Sequence, residues 1–268
     1  WNSNCESIIE GCTFRHMRPD KAEYRADVEN QIATGSLKIN GWGHGFMRVM
    51  GYDLTMTIRD CLFYDNMGAL NILFSKSSHV DTVDPARFHL YIERCTFQKT
   101  NGSAIAFNSQ PVTGWIKDCK FYNIGENRCN EEGYDFPEDK KPQWGSGTED
   151  DPYVYPCGVG GNGIFSYNWT PRHELVISGN WMYNIMENGI EGNYREVSNN
   201  HIENTGYRID EGLWNPSTEC IYGNNAIIRN NVIRNPTRGE PGIVIPSWSD
   251  GQNCVIEDNI IEFSKPGQ

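Results

Sequence analysis

The sequence predicts an all-β solenoid, and three observations predict it. First, one short phrase occurs eight times: an aliphatic residue, two polar residues, a pivot that is Asn or Cys, any residue, then an apolar residue. The clearest copy is Val197-Ser198-Asn199-Asn200-His201-Ile202. Second, the pivots Cys12, Cys61, Cys95, Cys119, Asn180, Asn200, Asn231 and Asn259 are spaced by 49, 34, 24, 61, 20, 31 and 28 residues. A core period of about twenty to thirty residues, broken by insertions of varying length, marks a solenoid. Third, 27 glycines and many asparagines suit a chain made of short strands and sharp turns.

Each element of a coil has a physical reason. Three residues before the pivots stand Ile9, Ile58, Ile92, Ile116, Ile177, Val197, Ile228 and Ile256, which end a first strand with the side chain inside. The pivot sits in a bend. Two residues after it stand Phe14, Phe63, Phe97, Phe121, Met182, Ile202, Ile233 and Ile261, which begin a second strand facing inward. A buried Asn must satisfy its amide, and the Asn of the next coil can do this. Cys fills the same stack as a small, weakly polar hydrophobe. The sequence therefore predicts an internal Cys stack followed by an Asn stack. A Gly-containing turn then leads to a third strand, at Ala69–Ile72, Ser103–Phe107, Gly163–Tyr167, Gly189–Gly192 and Gly242–Ile245.

In chain order, residues 1–20 hold the first phrase. Residues 21–56 carry Leu37-Lys38-Ile39 and the turn Asn40-Gly41-Trp42-Gly43-His44-Gly45-Phe46, and the 49-residue gap is expected to hold an extra, weakly marked coil. Residues 57–125 give three regular coils with an insertion at 75–88. Residues 126–161, rich in Asp, Glu, Gly and Pro and without apolar period, form the largest loop; loops of this length in a compact domain are often functional. Tight coils return over 162–205. A second insertion covers 206–218, and 219–263 holds the last two coils. The reading is one domain, 1–268, of about 8–9 coils. The first and last phrases leave no room for a capping helix, so the expectation is missing flanking sequence or ends that meet neighbours.

Three short strands per coil wound in one sense, with the I-x-x-[NC]-x-[FI] phrase and the following G-[IAL], resemble the right-handed parallel β-helix of the pectate-lyase-like superfamily. The resemblance covers nearly the whole chain. It implies that a glycan lies along the third-strand sheet and its loops, and that lyases of this fold pair a base with Ca²⁺ or Arg, whereas hydrolases pair carboxylates.

Composition bounds the partners. The net charge of −12 argues against nucleic acid, because phosphate binding needs basic surface. No apolar run is long enough to span a membrane. No signal peptide is visible, as in a mature secreted chain, and a secreted or cell-surface protein is expected. Of nine cysteines, four belong to the stack. Cys129 and Cys157 bracket the long insertion and are expected to form a disulfide, leaving Cys5, Cys220 and Cys254 open. Asn101 and Asn168 open N-glycosylation sequons.

If Leu37, Leu70, Ile105, Ile164, Ile190 and Ile243 point inward, the outward column is Lys38, Asn71, Ala106, Phe165, Glu191 and Val244. Two residues on stand Asn40, Leu73, Asn108, Tyr167, Asn193 and Pro246. Both long insertions enter before this strand and should wall the same face. The expected catalytic residues are Glu191, Tyr167, Asp210, Glu211 and Arg208, with Glu187 just upstream. The expected glycan contacts are Asn193, Arg195, Asn108, Trp214 and Trp169. A carboxylate pair across this groove can do acid–base work, and Glu191 with Asp210 or Glu211 offers oxygen ligands for Ca²⁺. His79, His89, Asp81 and Asp84 match no metal-ligand spacing and read as a solvated loop. The functional expectation is a lyase or glycoside hydrolase of an extracellular polysaccharide. The alternative is a structural or adhesive β-helix rod, a filament, tailspike or appendage subunit, assembling end to end.

Overall fold

A computed structural model of the chain describes residues 5–16, 45–50, 54–66, 70–75, 88–100, 102–108, 112–125, 161–166, 172–206, 219–224, 226–236, 241–246 and 254–263. They form a parallel β-helix of eight coils. Coil 1 holds β1 (Cys5–Glu10), β2 (Thr13–Arg15) and β3 (Gly45–Met50). Coil 2 holds β4 (Leu54–Arg59), β5 (Leu62–Asn66) and β6 (Leu70–Ser75), and coil 3 holds β7 (Phe88–Glu93), β8 (Thr96–Thr100) and β9 (Ser103–Asn108). Coil 4 holds β10 (Thr113–Lys117), β11 (Lys120–Ile124) and β12 (Ile164–Ser166), and coil 5 holds β13 (His173–Ser178), β14 (Trp181–Ile185) and β15 (Ile190–Gly192). Coil 6 holds β16 (Tyr194–Ser198), β17 (His201–Thr205) and β18 (Ile221–Gly223). Coil 7 holds β19 (Ile227–Arg229), β20 (Val232–Arg234) and β21 (Ile243–Val244), and coil 8 holds β22 (Val255–Glu257) and β23 (Ile260–Glu262). First strands stack into sheet A, second strands into sheet B and third strands into sheet C, with every pairing parallel.

The eight phrases fall in register without exception. Ile9, Ile58, Ile92, Ile116, Ile177, Val197, Ile228 and Ile256 align down sheet A. Phe14, Phe63, Phe97, Phe121, Met182, Ile202, Ile233 and Ile261 align down sheet B. The bend has a single cause. The residue just before each pivot is left-handed, from Gly11 at φ 63° to Asp258 at φ 54°, and seven of the eight are Gly, Asn or Asp. These residues adopt that conformation at low cost; Arg94, at φ 49°, is the exception.

Inside, Phe14, Phe63, Phe97 and Phe121 stack face to face with centroids 5.0, 4.7 and 5.0 Å apart. Phe97 has a ring on both sides, and offset aromatic pairs contribute about 0.5–1.5 kcal/mol beyond the area they bury. Phe97→Leu keeps most of the apolar volume and loses both pairs. It is expected to cost about 2 kcal/mol, read as a lowered urea midpoint at unchanged slope.

The pivots form the two stacks. Asn180, Asn200, Asn231 and Asn259 pass side-chain bonds from coil to coil: Asn180 Nδ2 donates to Asn200 Oδ1 at 2.9 Å, Asn200 Nδ2 to Asn231 Oδ1 at 3.0 Å, and Asn231 Nδ2 to Asn259 Oδ1 at 2.9 Å. Cys61, Cys95 and Cys119 are buried thiols whose Sγ atoms point at nearby carbonyls. Asn180 Oδ1 accepts the Cys119 backbone N–H at 3.0 Å, which joins the stacks. Seven cysteines are free among the described residues; Cys129 and Cys157, and the sequons at Asn101 and Asn168, lie outside them.

Three expectations need correction. No extra coil is interposed between Cys12 and Cys61: β1 pairs directly with β4 and β2 with β5, and residues 17–44 lie outside the described residues. The third strand of coil 1 is β3, so Met47, not Leu37, stands in register with Ile72. In coil 2, Ile72 rather than Leu70 pairs with Ile105, because a strand alternating with period two offers both residues on one face. The coil 6 third strand, β18, was missed: Cys220-Ile221 follows the second insertion without the Gly-Ile marker, and Ile221 pairs with Ile190 and Ile243.

Candidate functional site

Both long insertions leave sheet B and re-enter at sheet C, between β11 and β12 and between β17 and β18. At this corner Asn162, Asn188 and Glu219 stand in register, each two residues before the inward Ile164, Ile190 and Ile221. All three are buried. They form a polar rail: Asn162 N donates to Ser103 Oγ at 3.0 Å, Asn188 N to Asn162 Oδ1 at 2.8 Å, and Asn188 Nδ2 to Glu191 Oε2 at 2.8 Å.

Glu191 leaves β15 on the outer face, paired in register with Phe165 one coil before and Tyr222 one coil after. In register with Glu191 down sheet C stand Arg48, Leu73, Ala106, Phe165, Tyr222 and Val244. Asn71 is not at this register position, which Leu73 takes, and Lys38 lies outside the described residues. Tyr194, fully buried, donates its hydroxyl to the Glu191 carbonyl at 3.0 Å and fixes the backbone there. Glu187 precedes the rail, its N–H on Gly161 O at 3.2 Å.

The electrostatics separate these carboxyls from ordinary ones. Burial pushes Glu187 up to about 8, and the neighbouring Glu191 charge adds to the rise. Burial pushes Glu191 up to about 7; the amide bond from Asn188 opposes this, and the Glu219 charge reinforces it. Two half-buried carboxyls on one corner thus hold protons close to neutral pH, as acid–base groups must.

Glu191 stands where it was expected. Tyr167, Trp169, Arg208, Asp210, Glu211 and Trp214 lie outside the described residues, and so do His79, Asp81 and Asp84. Asn108 ends β9 in register with Ser75. Arg195 is exposed on β16 of sheet A, around the corner from sheet C. Asn193 is not in an exposed column: it is buried, because Gly192 at φ 137° turns the chain and breaks strict alternation. Glu219 went unread because its strand was missed; the signal available for the rail was Asn-Gly-Ile at both 162–164 and 188–190.

A second polar pair is structural. Ser166 Oγ lies 2.9 Å from His173 Nε2, and both residues are buried. His173 is thus inside the coil. His173 Nδ1 accepts the Val112 N–H at 3.3 Å, so the proton sits on Nε2 and is donated to Ser166, the reverse of what an activated serine requires. Burial lowers His173 to about 4 from 6.5. Between those values the unfolded imidazole binds a proton that the folded one refuses. Its contribution is full above about pH 6.5 and is lost as pH falls towards 4, a total of about 3 kcal/mol. Urea midpoints are expected to drop across this window, and the drop is expected to shrink in His173→Phe.

Among the described residues no group of three His, Cys, Asp or Glu side chains is placed to hold a metal ion. Among them, no helix is long and apolar enough to cross a membrane. No family model, curated protein or solved structure matches the chain.

Proposed function

We propose that the chain is a glycoside hydrolase of an extracellular polysaccharide, acting at the corner between sheets B and C. The observation that supports this reading is the pair Glu187 and Glu191, raised to about 8 and about 7 by burial beside a rail of amides. Where environments push two carboxyls apart, the higher one acts as acid and the lower as base. Glu187 donates its proton to the leaving glycosidic oxygen. Glu191, oriented by Asn188, takes a proton from the attacking water. Phe165 and Tyr222 flank Glu191 and offer ring faces to the sugars on either side. Arg208, Asp210, Glu211, Trp214, Tyr167 and Trp169, outside the described residues, stay candidates for catalysis and glycan contact in this reading.

The test is incubation with a panel of neutral and acidic polysaccharides, following reducing ends. New reducing ends without unsaturated-uronate absorbance support hydrolysis. Absorbance with the reducing ends makes the protein a lyase, and silence across the panel removes the enzyme reading. A second reading, the end-to-end rod, has one observation in its favour: coil 8 exposes Val255, Ile256, Ile260, Ile261 and Phe263. Filaments by electron microscopy, abolished by Ile256→Glu, would support it.

A further inference from the structure

The outer face of sheet B carries a surface that adjoins the Glu187–Glu191 corner and shares none of its carboxyls. Two rows of side chains cross coils 4 to 6 in register: Lys120, Trp181 and His201, then Tyr122, Tyr183 and Glu203. Trp181 is 47% exposed and Tyr183 37% exposed, large values for aromatic rings on a sheet. The indole lies flat against His201, with centroids 4.1 Å apart and planes 13° from parallel. His201 Nε2 is in turn 3.1 Å from the Glu203 carboxylate. The platform is thus held in place before any partner arrives, which lowers the entropic cost of binding.

Charge names the partner. On a chain of net charge −12, Lys120 is exposed on this face, and Lys99 sits one coil earlier with its Nζ 5.9 Å from the Tyr64 ring. Among the described residues neither lysine meets a carboxylate, whereas Arg234 on the same face is paired with Glu262 at 2.6 Å. The neighbours of the rings are polar: Gln98, Asn123, Asn184 and Asn204, the three asparagines linked by Asn204 Nδ2 to Asn184 Oδ1 at 3.1 Å and Asn184 Nδ2 to Asn123 Oδ1 at 3.0 Å. Flat rings edged by amides suit the carbon–hydrogen face and hydroxyl rim of a sugar better than the aliphatic side chains of a protein. Lys120, in register with Trp181, and Lys99, one coil earlier against the Tyr64 ring, place positive charge along this face and suit an anionic sugar.

We propose that the outer face of sheet B binds an anionic glycan, with its sugar rings on Trp181, Tyr183 and Tyr122 and its carboxylate or sulfate groups on Lys120 and Lys99. This surface lies on sheet B, next to the Glu187–Glu191 corner, and binding there does not depend on turnover.

Native affinity electrophoresis tests this with polygalacturonate, uncharged hydroxyethylcellulose or no polymer in the gel, using the Glu191→Gln chain so that cleavage plays no part. The expected result is retardation by polygalacturonate alone, weakening with salt. In the Trp181→Ala/Tyr183→Ala double variant, and separately in Lys99→Ala/Lys120→Ala, the affinity is expected to fall about tenfold. The substituted side chains are surface ones, so both variants are expected to keep the parent's circular dichroism and urea midpoint. Absence of retardation, or equal retardation of parent and variants, overturns the proposal. Retardation by the uncharged polymer alone assigns the face to neutral glycans and overturns the anionic reading. A concentration-dependent dimer lost in Trp181→Ala, without retardation, assigns the face to a second copy of the chain and overturns it as well.

Discussion

Glu191→Gln is expected to lower glycan hydrolysis by about a hundred- to ten-thousandfold, the usual range for losing a positioned acid or base. The pH dependence carries more information than the size of the loss. Glu191 must be ionised to act as base, so activity rises through about pH 7; Glu187 must be protonated to act as acid, so activity falls through about pH 8. The parent profile is a narrow bell whose two limbs belong to the coupled pair. Residual activity in Glu191→Gln should lose the acid limb, and in Glu187→Gln the alkaline limb. The same carboxyls set an opposite trend in stability. Unfolded, they ionise near 4.5, whereas folded they keep protons to about 7 and 8. The folded state therefore binds more protons between those values, and stability falls as pH rises through them. Either glutamine variant is expected to be more stable than the parent at pH 8 in urea unfolding. A variant that loses activity with an unchanged profile shape, and gains no stability at pH 8, would remove both carboxyls from the proposed roles.

The coil was legible because its determinants are local. One inward aliphatic, one left-handed turn residue and one inward aromatic recur at fixed offsets, and in-register stacking repeats the same solution in every coil. Sheet C was less legible, since its strands follow connections of very different length. Strand β18 comes straight out of the second insertion, so no spacing announced it, and Glu219 was lost with it. Glu191 could be read because Ile190 marks its strand, and alternation then places its side chain outside. What alternation could not give was the Gly192 turn that buries Asn193, or the raised Glu187, whose state depends on how closely neighbouring coils cover it. The aromatic platform on sheet B was hidden for another reason. Trp181 and His201 are adjacent only through coil stacking, 20 residues apart in the chain, and neither is unusual within its own phrase.

Asn200→Ala is expected to destabilise the coil stack by about 3–5 kcal/mol, more than packing loss alone would give. Asn200 Oδ1 accepts both the backbone N–H of Asn180 at 3.0 Å and its Nδ2 at 2.9 Å, and Asn200 Nδ2 donates to Ile177 O at 3.0 Å. Truncation leaves the Asn180 N–H, one Asn180 amide hydrogen and a bond to Ile177 O unmade in a dry interior, each costing about 1–3 kcal/mol. The Cys half of the stack offers an internal comparison. Cys95 Sγ makes weak thiol contacts, 3.3 Å to Glu93 O and 3.5 Å to Ile58 O besides the neighbouring Cys61 and Cys119 thiols, so Cys95→Ala removes a small hydrophobe with no strong bond and should cost about 1–2 kcal/mol. If the two substitutions cost the same, the amide ladder is packing and not a hydrogen-bonded spine. If Asn200→Ala costs several-fold more, hydrogen exchange should locate the loss in β13, β16 and β19, the first strands of coils 5 to 7, since each coil leans on its immediate neighbours. That weakening would reach the proposed site, because Glu187 and Glu191 sit on coil 5, one short strand beyond the ladder.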